Sequence, residues 1–107
     1  MANEADFRDI ACALEGTISA PHFNRTAFKV NRTYATLAGD GQSANLKFTP
    51  DEQELKCMLH PEAFTPVDNK WGQQGWTVCT LANVTTDELR AALEMVWGHA
   101  VPKKVQR

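Results

Sequence analysis

Several things are scarce in this chain, and each scarcity excludes something. No stretch of its 107 residues approaches the roughly 20 consecutive apolar residues that a membrane-spanning helix needs. The amino-terminal run Met1-Ala2-Asn3-Glu4-Ala5-Asp6 is acidic and lacks the basic and apolar regions of a secretory signal. Cysteine is limited to Cys12, Cys57 and Cys79, odd in number and far apart, which excludes a disulfide framework and predicts reduced thiols in a cytoplasm. The sequons at Asn24, Asn31 and Asn83 are then turn chemistry rather than glycosylation sites. Basic excess is missing too: 11 Lys and Arg face 13 Asp and Glu, a net charge of −2 that excludes a strongly basic nucleic-acid binder of the usual kind. No nucleophile motif, phosphate loop or dinucleotide fingerprint is present. His22 near Arg25 is the one pairing that starts an acid–base argument, and neither has a carboxylate close in sequence. The sequence therefore gives no support to an enzyme.

What is there suffices for one soluble domain over residues 1–107, with a core from about residue 7 to 101 and a short basic tail from Pro102 to Arg107. At 43% hydrophobic and 22% charged, a chain of this length can bury a core without metal, cofactor or disulfide, and a monomer is expected. Charge is unevenly spread. Arg25, Lys29, Arg32 and Lys47 cluster in the middle against Asp40, while the acids gather at Glu4–Glu15, Asp51–Glu54 and Asp87–Glu94. Such asymmetry creates a local positive surface despite the acidic sum.

Three amphipathic helices are predicted. Phe7, Ile10, Ala11 and Leu14 recur at helical spacing, with Gly16 as the stop. Thr49-Pro50-Asp51-Glu52 has capping-box spacing and opens a helix whose inward stripe is expected to be Leu55, Met58 and Leu59, ending at Pro61. Thr85-Thr86-Asp87-Glu88 opens another, burying Leu89, Ala92, Leu93, Val96 and Trp97 and ending at Gly98 and Pro102. Between them run short β-prone segments: Thr26–Val30 and Thr33–Leu37 joined through Asn31-Arg32, then Ala44–Phe48 after Gly39–Ser43, and later Trp76–Leu81. Strands joined this tightly imply an antiparallel sheet, and helices on one side of it an α+β two-layer domain.

The most distinctive stretch is Trp71-Gly72-Gln73-Gln74-Gly75-Trp76, in which large flat side chains bracket residues of high backbone freedom. Read with Pro21–Phe28, with Leu46-Lys47-Phe48-Thr49-Pro50-Asp51-Glu52-Gln53, and with His60-Pro61-Glu62-Ala63-Phe64, it resembles the MmcQ/YjbR-like family. The first helix with its Gly16 and the last helix through Pro102-Lys103-Lys104 complete the likeness, which spans about Phe7 to Lys104. The resemblance implies a frataxin-like fold, with about three helices packed on a curved antiparallel sheet. It also implies a proposed double-wing role in binding DNA, and no catalytic residues.

Strand alternation places Phe28 opposite in face to Lys29, and Lys47 opposite to Leu46 and Phe48. Lys29 and Lys47, with Arg25 and Arg32 near the hairpin ends, then form a phosphate-contacting face or simply a solvated one. Trp71 and Trp76 offer stacking platforms beside it, or else seal the sheet edge. Gly72 to Gly75 matches the Gly-x-x-Gly spacing that clamps a nucleic-acid backbone, though here it leads into a strand rather than joining helices. The leading expectation is a nucleic-acid binder using this face together with Gly72, Gln74 and Gly75. The competing one is a module gripping a small anionic ligand or peptide between the loop and His22 with Arg25, and a third is a protein-interaction adaptor. A concave pocket beside Trp71 favours the ligand; a flat basic face favours nucleic acid. Cys57 and His60 lack a second pair at metal-ligand spacing, and the first helix's acids are few and broken by Arg8, so no metal site is expected.

Overall fold

The computed structural model describes residues 1–102; the expected loose basic tail beyond Pro102 lies outside the described residues. Six strands form a single antiparallel sheet: β1 (Ile18–His22), β2 (Arg25–Val30), β3 (Arg32–Leu37), β4 (Ser43–Lys47), β5 (Phe64–Pro66) and β6 (Trp76–Thr80), in the order β1-β2-β3-β4-β6-β5. Helix α1 (Glu4–Ala13) packs on α4 (Thr86–Ala100), and α4 lies across β2, β3 and β4. Helix α2 (Pro50–Leu59) sits beside β5, and α3 (Lys70–Gln73) is a single turn within the tryptophan-glycine loop. The result is the expected two-layer α+β domain.

The long helices begin where their caps say they should. Thr49 and Glu52, and likewise Thr85 and Glu88, exchange side-chain to backbone hydrogen bonds of 2.8–3.1 Å. Asn3 and Asp6 do the same for α1. Gly16, at φ +80, turns the chain just beyond α1. Helix α4 buries Leu89, Ala92, Leu93 and Val96 as expected, whereas Trp97 is only half-buried because its indole N–H donates to the Glu15 carbonyl at 2.9 Å; the helix runs through Gly98 to Ala100 and ends before Pro102. One glycine weakens a helix without ending it when the flanking turns are packed.

Helix α2 corrects the sequence reading. Leu55, Met58 and Leu59, expected inside, are 52%, 67% and 59% exposed. The helix is rotated by polar contacts that apolar periodicity does not register. The Gln53 side-chain amide donates to the carbonyls of Gly72 and Trp76, both at 2.9 Å. Lys56 lies 5.5 Å over the rings of Phe48 and Phe64, and Cys57 packs against the core.

Strands β1 and β5 were not anticipated. The β1–β2 hairpin turns at Phe23, whose φ of +60 is unusual for so bulky a residue. Asn31, at φ +69, alone separates β2 from β3, one residue fewer than expected. A bulge shifts the β2–β3 register between Phe28 and Lys29, so Phe28 faces Ala35 while Lys29 faces Thr33. It sends both Tyr34 and Ala35 to the helix side, where the Tyr34 hydroxyl meets Thr17 Oγ1 at 2.8 Å. The core on that side joins Phe7, Phe28, Leu37, Leu46, Cys79, Leu89 and Leu93.

Candidate binding cleft on the open sheet face

Among the described residues, no long helix covers the other face at its centre. Antiparallel register there aligns His22 with Arg25, Ala20 with Ala27, Ala27 with Thr36, Thr36 with Asn45, and Asn45 with Val78. Directly paired residues share a face, so these side chains stand opposite the buried Phe28, Leu37 and Leu46. The chain returning from β5 through Val67 and Asn69 into α3 rises beside them. A cleft of about 320 Å³ results, walled by Trp71 and Trp76 on one side and by His22 and Arg25 on the other. Ala27, Thr36, Asn45 and Asn69 also line it.

Each wall is fixed by local chemistry. Asn69 caps the short turn by accepting from the Trp71 amide at 2.8 Å, and Trp71 itself is 54% exposed. Gly72 and Gly75 serve the loop from inside. A β-carbon at Gly72 would collide with the Val67 carbonyl, and one at Gly75 with that of Phe48, where φ is also +108. Both glycines are buried against the protein's own backbone. Gln74 points its carbonyl at Lys47, which donates to it at 3.0 Å.

The cations do not gather into one patch. Arg25 is half-buried, and its Nε donates to Thr36 Oγ1 at 2.9 Å while Nη2 donates to the Thr36 carbonyl at 3.2 Å. Burial lowers its pKa, with the Asp40 charge acting the other way. Arg32 donates to the His99 carbonyl at 2.7 Å and so caps the C-terminus of α4. Lys29 is exposed and pairs in register with Ile18 and Thr33, outside the cleft lining. Of the ten residues expected to bind, the cleft brings together His22, Arg25, Trp71 and Trp76. Thr36, Asn45 and Asn69 were missed. Alternation opposite buried Leu37 and Leu46 marks the first two as outward, but a neutral side chain announces no chemistry.

Other candidates have clear structural surroundings. His22 packs edge-on against Phe23 at 4.8 Å between ring centres. All three cysteines are free; Cys12 is exposed, burial raises the Cys57 thiol, and burial pushes Cys79 up to about 12, opposed by Lys56 and assisted by Glu88. Among the described residues there is no group of His, Cys, Asp or Glu arranged to hold a metal ion, and no helix long and apolar enough to cross a membrane.

Comparison with known proteins places the fold. No curated protein matches the chain. A solved structure, the Deinococcus radiodurans protein DR2400 with a DUF419 domain, superposes with a TM-score of 0.81 at 22% identity, over 100% of this chain and 84% of that one. At that identity the likeness shows shared architecture. The YjbR family profile matches residues 12–99, from the end of α1 nearly to the end of α4. The chain belongs to the YjbR family.

Proposed function

We propose that this protein is a non-catalytic binding module that holds a small, flat, anionic ligand in the cleft between the β1–β2 hairpin and the tryptophan-glycine loop. The carrying observation is the cleft itself: about 320 Å³ of concave space, with two indoles and a partly desolvated guanidinium on its walls. That volume is at the small end of ligand sites and suits one ring system. The indoles supply stacking faces. Arg25 has spent two of its five N–H donors on Thr36, which orients the fork and leaves the rest for an anion. Asn45 and Asn69 add polar groups that can read a ring edge. The same reading has the module acting as a cytoplasmic monomer, in keeping with its free thiols.

Single-stranded nucleic acid is the second reading, and one observation favours it. Phe23 at the hairpin tip is 94% exposed and Trp71 is 54% exposed, both available to stack on unpaired bases. The electrostatic argument for it is weaker, because the cations do not share one face: Arg25 borders the cleft, Arg32 caps α4, Lys47 reaches the Gln74 carbonyl and Lys29 stands apart. Tryptophan fluorescence separates the readings. Titration with flat aromatic carboxylates, nucleosides and nucleotides should quench the indoles saturably in wild type and much less in Trp71→Ala. Single-stranded oligonucleotides that bind far more tightly than any small ligand, with affinity falling steeply in salt, would favour the second reading. Failure of every ligand to bind would overturn both.

A further inference from the structure

We infer that the cleft is half of a bipartite site, the other half being an oxyanion pocket, so that the ligand is a ring joined through a short spacer to a phosphate: a mononucleotide. This deepens the reading above and rests on it. Strands β3 and β4 pair only from Ala35–Leu46 to Leu37–Ala44. Beyond that point they part, and the C-terminal end of α4 lodges beside the gap. A second cleft of about 240 Å³ opens there, at the end of the sheet, lined by Arg32, Thr33, Lys47 and Gly98 and, on its helix side, by the buried Tyr34 and Val96.

Two features join it to the first cleft. Thr33 lines both. Lys47 stands directly across the β4–β6 ladder from Trp76, so a wall of the ring cleft and a cation of the second are cross-strand neighbours. The cations are oriented without being exhausted. Arg32 gives one N–H to the His99 carbonyl, and Lys47 gives one to the Gln74 carbonyl. Four N–H donors on Arg32 and two on Lys47 remain.

Two negative features oppose an anion, and each is already engaged. The Glu52 carboxylate holds His99 Nε2 at 2.9 and 3.0 Å, and Arg32 covers the His99 carbonyl at the end of α4. Gly98 supplies an independent indication. It lies inside α4, where alanine would favour the helix, and a β-carbon there would meet nothing within 4 Å. Packing does not require this glycine. It lines the second cleft without a side chain.

The test titrates adenosine, AMP and inorganic phosphate into the protein, with tryptophan fluorescence and amide chemical shifts as readouts. AMP should bind about tenfold or more tightly than adenosine, as expected for charge-assisted hydrogen bonds. That advantage should vanish in Lys47→Ala and in Gly98→Met, which fills the second cleft with a residue the helix tolerates. Trp71→Ala should weaken both ligands alike and leave their ratio unchanged. Phosphate alone should shift the amides of Thr33, Lys47 and Gly98. Adenosine binding as well as AMP, or an AMP advantage that survives both second-cleft variants, would overturn the bipartite site and leave the cleft reading intact. If neither nucleoside nor nucleotide binds while flat aromatic acids do, only this inference falls. If nothing binds, both fall.

Discussion

The two faces of the sheet are built from the same strands and do opposite work. Facing the helices, Phe28, Leu37, Leu46 and Cys79 are completely buried, and Thr77 is buried with its hydroxyl donating to the Gly75 carbonyl at 2.9 Å. On the open face the residues that alternate with them along the same strands include Arg25, Ala27, Thr36, Asn45 and Trp76, and they border a cleft instead of a core. One side stores stability and the other displays chemistry. Stability on the first should therefore be separable by mutation from binding on the second, because the pleat sends alternate side chains into different environments.

The largest effect should come from the covered face. Leu93→Ala removes a fully buried side chain from the centre of α4 and should destabilise the fold by about 2–5 kcal/mol in urea unfolding. A change within error would mean that α4 does not carry the core. Next is Gln53, which links α2 to the loop behind the cleft. Gln53→Ala deprives the Gly72 and Trp76 carbonyls of their side-chain donor and should cost about 1–3 kcal/mol. It should also weaken ligand binding, since both carbonyls belong to the loop that carries Trp71. Loss of stability with no loss of binding would separate the loop from the site.

Alkaline pH should probe the covered face selectively. An unfolded thiol titrates near 9, whereas Cys79 in the folded protein holds its proton to about 12. Its contribution is fully present below pH 9 and is lost as pH rises toward 12, because only the unfolded state gives up the proton in that window. Tyr34, raised by burial, acts in the same direction above pH 10. Stability should fall by something on the order of 1 kcal/mol per pH unit for each such group. Cys79→Ala, measured by thermal unfolding across this range, should flatten part of that slope; an unchanged slope would contradict the burial argument. The smallest effect belongs to the outward stripe of α2. Leu55→Ala should alter stability by no more than about 0.5 kcal/mol, against the several expected at Leu93.

Helices α2 and α4 also show what could be read in advance. Both announce their starts with a threonine cap and a glutamate on the third residue, because a cap is a local exchange of hydrogen bonds. Which face turns inward is not local. Apolar spacing identifies it for α4, whose stripe is long, and misidentifies it for α2, whose orientation depends on Gln53 reaching residues far along the chain and on Lys56 covering the rings that flank the helix. Strand β1 was hidden because all its residues are exposed and it contains Pro21, so no burial alternation marks it. The bulge that turns Tyr34 inward leaves two consecutive buried residues in β3, which simple alternation cannot foresee. At the site, His22, Arg25, Trp71 and Trp76 were legible because aromatic rings and charges stand out in a sequence. Asn45 and Asn69 became visible only when the chain returned from β5 to place them together.

Amide-shift mapping with flat aromatic acids and nucleotides tests the division between the faces most directly. The account predicts saturable shifts confined to Ala27, Thr36, Asn45, Asn69 and the Trp71 and Trp76 indoles, joined in the nucleotide titration by Thr33, Lys47 and the Gly98–Ala100 end of α4, with α1 and the rest of α4 unmoved. Shifts centred on Leu55, Met58 and Leu59 of α2, or none that saturate, would contradict it.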